Sequence, residues 1–153
     1  NLFSCAIAVS CEELINAQPL NLDANSDFAQ AFEHACTLLL TIINLPEAIK
    51  LELLLLELAA EQNPLAQKFY NASHLRMHAV WENFFQQAIA LGFIEDENLN
   101  TLTLLIMSLL LGMRHHQVLL GIRAIPSDSE RQQIIAQSMG VFMLKYQKTE
   151  SRE

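Results

Sequence analysis

The chain has 153 residues, of which 52% are hydrophobic and 17% charged, and its formal net charge is −8. This is enough for one domain with a substantial core, and far too apolar for a disordered chain. Its nine Lys and Arg residues are scattered, which excludes these residues from holding nucleic acid by themselves, because phosphate binding needs clustered basic side chains.

Leu, Ala, Gln and Glu dominate, β-branched runs are scarce, and the punctuation predicts six helices and no strands. The first runs from about Leu2 to Ala17 and is ended by Pro19 and the polar "NLDANSD". Ser26 or Asp27 can cap the second, which reaches about Asn44. Pro46 suits the first turn of a third, "PEAIKLELLLLELAAEQ". Asn63-Pro64 opens a long fourth helix that Gly92 stops. After the loop "FIEDENLN", a fifth helix spans roughly Leu99 to Arg123. Ser127 and Glu130 have capping-box spacing and open the last, which runs to about Tyr146. The expected organisation is one all-α six-helix bundle over residues 1–147, followed by a disordered tail, 148–153.

Cys5, Cys11 and Cys36 cannot all pair within one chain and lack zinc spacing, so reduced thiols in a cytoplasmic protein are expected. The apolar start "NLFSCAIAVSC" has no basic segment before it and acidic Glu12-Glu13 after it. It is read as a cut through a larger protein rather than a signal peptide. No run of 18 uncharged residues occurs, so no membrane span is expected.

Helical phase indicates which faces are covered. The third helix has only a narrow polar stripe of Lys50, Glu57 and Glu61. The fifth carries two separated apolar stripes, Leu105–Leu109–Gly112–His116–Leu120 and Met107–Leu111–Arg114–Val118, and two stripes require two partners. The last helix carries Ile135, Met139, Phe142 and Tyr146 on one side. Leaving each large apolar side chain uncovered forfeits roughly 1.5–3 kcal/mol. Leu105, Leu109, Gly112, His116, Leu120, Ile135, Met139, Phe142 and Tyr146 are therefore expected to form a homodimer interface burying at least ~1,600 Å².

Phe32, Phe69, Met77, Trp81, Phe84 and Met107 are expected to line an apolar cavity, with Arg76 and Arg114 as polar contacts for a small hydrophobic or amphipathic ligand. For each of these residues the competing reading is plain core, or for Arg114 a structural ion pair. His74 and His78, four apart with Glu82 beyond, have spacing that can hold a metal, but their strip faces away from the apolar arc, where a solvated face is expected. No catalytic fingerprint is present, so no enzymatic activity and no cofactor are expected.

Three stretches resemble one family. "NLF" is similar to the start of the first core helix of TetR-family transcriptional repressors, and "ELAAEQNPLAQKF" to the junction before their long helix. "FFQQAIALGFIEDENLNTLTLLIMSLLLGM" resembles the end of that helix, its loop and the penultimate helix. The resemblance covers essentially the whole chain and rests more on helix order than on single residues. It implies the ligand-binding and dimerisation domain of a bacterial cytoplasmic repressor that releases operator DNA when an effector binds. It also implies that the last two helices pack against those of a second copy. The family's DNA-reading helix-turn-helix is not among these residues, so operator DNA would be a partner only of the intact parent. The alternative reading is a helical metal-binding protein or enzyme using His74, His78 and Glu82.

Overall fold

The computed structural model describes residues 20–149 together with Glu12, Glu13 and Asn16. Five helices follow one another: α1 (Phe28–Ile43), α2 (Pro46–Ala60), α3 (Leu65–Ala90), α4 (Leu99–Leu119) and α5 (Asp128–Tyr146). They correspond to the second to sixth helices expected from the sequence. The first expected helix lies outside the described residues, apart from helical Glu12, Glu13 and Asn16, as do Cys5, Cys11 and residues 150–153. Among the described residues there is no strand, only an isolated antiparallel bridge between Ile94 and Gln147.

The local signals act as their chemistry requires. The Asp27 carboxylate accepts the Gln30 amide at 3.2 Å, Asn63 Oδ1 accepts from Leu65 at 3.0 Å, and Ser127 Oγ accepts from Glu130 at 3.2 Å. Each satisfies an N-terminal amide that has no partner within its helix. At the C-termini, the chain turns left-handed at Gly92 (φ 78°) and at Gln62 (φ 55°). In both places the two following amides fold back onto the last turn, Gly92 to Ile89 and Phe93 to Ala88, Gln62 to Ala59 and Asn63 to Leu58. The same arrangement at Gly121 ends α4 at Leu119, earlier than the Arg123 expected from apolar periodicity.

α3 packs along α4 and α2, and α5 lies against α1 and α4. Their shared core is aromatic: Phe32, Trp81, Phe84, Phe85 and Phe142 are fully buried, with the Phe32 and Phe142 rings 5.1 Å apart and those of Phe85 and Phe142 stacked at 5.3 Å. α4 is long and apolar enough to cross a membrane by length and composition alone. Here Leu102, Ile106 and Leu110 turn it into the core.

One expectation about faces is corrected, and one glycine has a role that periodicity does not show. Ile135, Phe142 and Tyr146 point into the chain's own core rather than outward, because the α5 stripe with the largest side chains gains most from closing over the aromatic cluster. Met139 is half-buried against the same cluster. Gly112, placed by helical phase on the expected interface stripe, has nothing within 4 Å of where its Cβ would stand. Its φ of 49° and ψ of −154° interrupt α4, a conformation that essentially only glycine adopts. The interruption re-aims the last turns of α4, which carry Arg114, His115 and His116.

Candidate functional site

A cavity of about 80 Å³ opens between the first four helices. α1 contributes Leu39, Ile42 and Ile43; α2 contributes Ala48, Leu51 and Glu52; α3 contributes Ser73, His74, Arg76 and Met77; and α4 contributes Met107. The walls are apolar and the polar groups gather at one side, the usual composition of a small-molecule site. A larger depression of about 340 Å³ beside Leu20, Asp27 and Gln30 adjoins residues outside those described.

Polarity in the first cavity centres on Glu52 and His74. His74 Nε2 is hydrogen-bonded to Glu52 Oε1, its Nδ1 lies 2.9 Å from Ser73 Oγ, and Ser73 Oγ lies 2.8 Å from the Phe69 carbonyl oxygen. Tyr70 stacks on the imidazole at 4.8 Å. Burial alone would push the Glu52 carboxyl up, but the hydrogen bond and charge of His74, with His115 further away, outweigh it and hold the group below the ordinary carboxylate range. His115 is itself pushed below the usual histidine value, chiefly by burial, and its Nε2 has no hydrogen-bond partner. Arg76 faces the rim, where its guanidinium donates to Glu12 at 2.8 Å.

Of the residues expected to line a cavity, Arg76, Met77 and Met107 do so. Phe32, Trp81 and Phe84 instead fill the solid aromatic core, where ring-on-ring packing leaves no space for a ligand. Phe69 packs on Leu51 and Leu55 in the seam between α2 and α3. Arg114 is directed away from the cavity and pairs with Glu130 of α5 at 3.1 Å. The metal strip does not assemble: His74 is committed to Glu52, and among the described residues no three His, Cys, Asp or Glu side chains stand close enough to share an ion. Glu52 itself was missed. The available signal was a lone acid lying off the polar stripe of its helix, which must find a partner.

Of the residues expected at a dimer interface, Gly112, His116 and Leu120 are exposed, while Leu105 and Leu109 are half-buried against the core. On α5 the outward side chains are instead Val141 and Leu144, 53% and 88% exposed, beside Gly140.

The described residues thus form an all-α bundle with a long central helix, a kinked penultimate helix and an apolar cavity between helices. Residues 30–148 match the C-terminal domain of AefR-like transcriptional repressors, and the chain belongs to the TetR family. A TetR-family transcriptional regulator from Mesorhizobium loti is similar in fold, with a TM-score of 0.78 and 16% identity over 96% of this chain and 74% of that one. The flavonoid-responsive regulator FrrA is similar too, with a TM-score of 0.76 and 19% identity over 97% and 75%. No curated protein matches the sequence.

Proposed function

We propose that this chain is the effector-sensing and dimerising part of a cytoplasmic TetR-type repressor, without enzymatic activity of its own. Residues 1–147 form the sensing and dimerisation domain, and operator DNA is held by the family's N-terminal helix-turn-helix. The observation that carries this reading is the apolar cavity between four helices with a polar pair at one side. A ligand there contacts α1 to α4 together. It can release DNA only by binding one arrangement of those helices better than another, a difference typically worth ~1–3 kcal/mol. The kinked α4 and α5, with Met113, Leu120, Val141 and Leu144 uncovered, supply the surface for a second copy.

Thermal denaturation in the presence of small single-ring hydrophobic compounds tests the sensing role. At least one should raise the midpoint of the wild type, and Ala48→Trp, which fills the cavity, should abolish the shift. No shift with any compound, or shifts unaffected by Ala48→Trp, would remove the cavity from the reading.

A further inference from the structure

The polar side of the cavity is unequal in what it has left to offer. The Ser73 hydroxyl has one proton, and the Phe69 carbonyl oxygen 2.8 Å away can only accept it. Ser73 Oγ is hydrogen-bonded to His74 Nδ1 as well, while His74 Nε2 faces the Glu52 carboxylate. Both imidazole nitrogens are thereby engaged, and neither is left for a ligand. The Arg76 guanidinium is turned to Glu12 at the exposed rim. What remains unused at the cavity side is acceptor capacity. The second Glu52 oxygen has no hydrogen-bond partner among the described residues, and Ser73 Oγ keeps a lone pair.

Resting on the sensing role proposed above, we infer that the cavity takes a neutral, single-ring apolar molecule bearing a hydroxyl group, which donates its proton to Glu52. The walls from Leu39, Ile42, Leu51, Met77 and Met107 receive the hydrocarbon part. A hydrogen bond to a carboxylate is about twice as strong as one between neutral groups, so the hydroxyl is selected rather than tolerated. A carboxylic acid, ionised at neutral pH, brings no proton and meets the charge of Glu52. An ammonium brings protons but must leave water for apolar walls.

Isothermal titration of the whole 153-residue chain with 4-ethylphenol, ethylbenzene and 4-ethylbenzoate at pH 7.5 tests this. 4-Ethylphenol should bind at least tenfold more tightly than ethylbenzene, and 4-ethylbenzoate more weakly than either. In Glu52→Leu the phenol should fall to the level of ethylbenzene, which still binds. Glu52→Gln, which keeps an uncharged acceptor and nearly the same shape, should show an intermediate loss if the leucine variant does not fold. Equal binding of phenol and ethylbenzene by the wild type would overturn the role of Glu52 and leave the cavity intact as a sensor. Preference for the benzoate would overturn it in favour of Arg76. Absence of binding by all three would overturn both the hydroxyl selection and the sensing role on which it rests.

Discussion

Glu52 of α2 and His74 of α3 are joined side chain to side chain across 22 residues of sequence, and this pair is the polar tie between the two helices at the cavity. Both are partly exposed, at 24% for His74 and 21% for Glu52, so the pair is weaker than a fully buried one. His74→Ala leaves the carboxylate half-buried without its partner and should lower stability by about 1–2 kcal/mol. Urea unfolding of the single variants and of Glu52→Gln/His74→Ala together gives the coupling directly. Strictly additive effects would show the pair to be energetically idle.

Acid should weaken the fold in two stages. Glu52 is held below its ordinary 4.5 and His115 below its ordinary 6.5. In each case the unfolded chain binds more protons than the folded one between the lowered value and the ordinary one. Stability is therefore complete above the ordinary value and is lost as pH falls through that range. The His115 loss begins below pH 6.5 and the Glu52 loss below pH 4.5. Urea midpoints collected from pH 8 to pH 4 should fall in that order, and His115→Gln should flatten the upper stage. An unchanged slope between pH 6.5 and 5 in the variant would assign that stage elsewhere.

Gly112→Ala should cost about 1–3 kcal/mol, because a Cβ disfavours the backbone conformation there although no neighbour obstructs it. The opposite outcome is expected at Gln62, whose φ of 55° carries a side chain through a left-handed turn. Gln62→Gly should stabilise by about 0.5–1 kcal/mol, the strain relieved exceeding the chain entropy glycine adds to the unfolded state. Thermal midpoints of both variants check this pair. A stabilised Gly112→Ala would mean that α4 prefers to run straight.

Phe142 and Leu144 are two positions apart on α5 and should respond in opposite ways. Phe142 is fully buried and Leu144 is 88% exposed. Phe142→Ala should cost about 3–5 kcal/mol through the cavity it leaves. Leu144→Glu should leave the monomer's stability nearly unchanged and abolish dimers in sedimentation velocity. A Leu144→Glu protein that remains dimeric would move the interface off α5.

The helix boundaries were legible because each depends on local chemistry: Asp27, Asn63 and Ser127 cap by accepting amides a few residues away, and Gly92 ends its helix by a backbone preference. The faces were less legible. Ile135, Phe142 and Tyr146 form a genuine apolar stripe, but periodicity cannot distinguish a stripe that closes on its own core from one that meets another molecule. Gly112 hides for a related reason: its neighbours continue the apolar pattern straight through the kink. Met77 and Arg76 were legible at the cavity because they lie on or beside the apolar arc of the long helix, and Met107 because it lies on an apolar stripe of the next. Glu52 and His74 are distant in sequence and unremarkable alone, and only tertiary contact makes them a pair.

The size of the cavity has a consequence for how the protein responds to concentration. At about 80 Å³ it is well below the ~300 Å³ at which ligand pockets begin, so in the proposed sensor a molecule of ordinary size requires the helices to part. The measured dissociation constant is then the intrinsic one divided by the fraction of open chains, and a fraction near one in a hundred makes it about a hundredfold weaker. Sensitivity and selectivity are consequently set by different residues. In the proposed sensor, Glu52 would govern which molecule is accepted. The packing of Leu55 and Phe69 between α2 and α3 would govern how much of it is needed. Trimming Leu55, which does not line the cavity, would lower the dose that triggers a response without altering what triggers it.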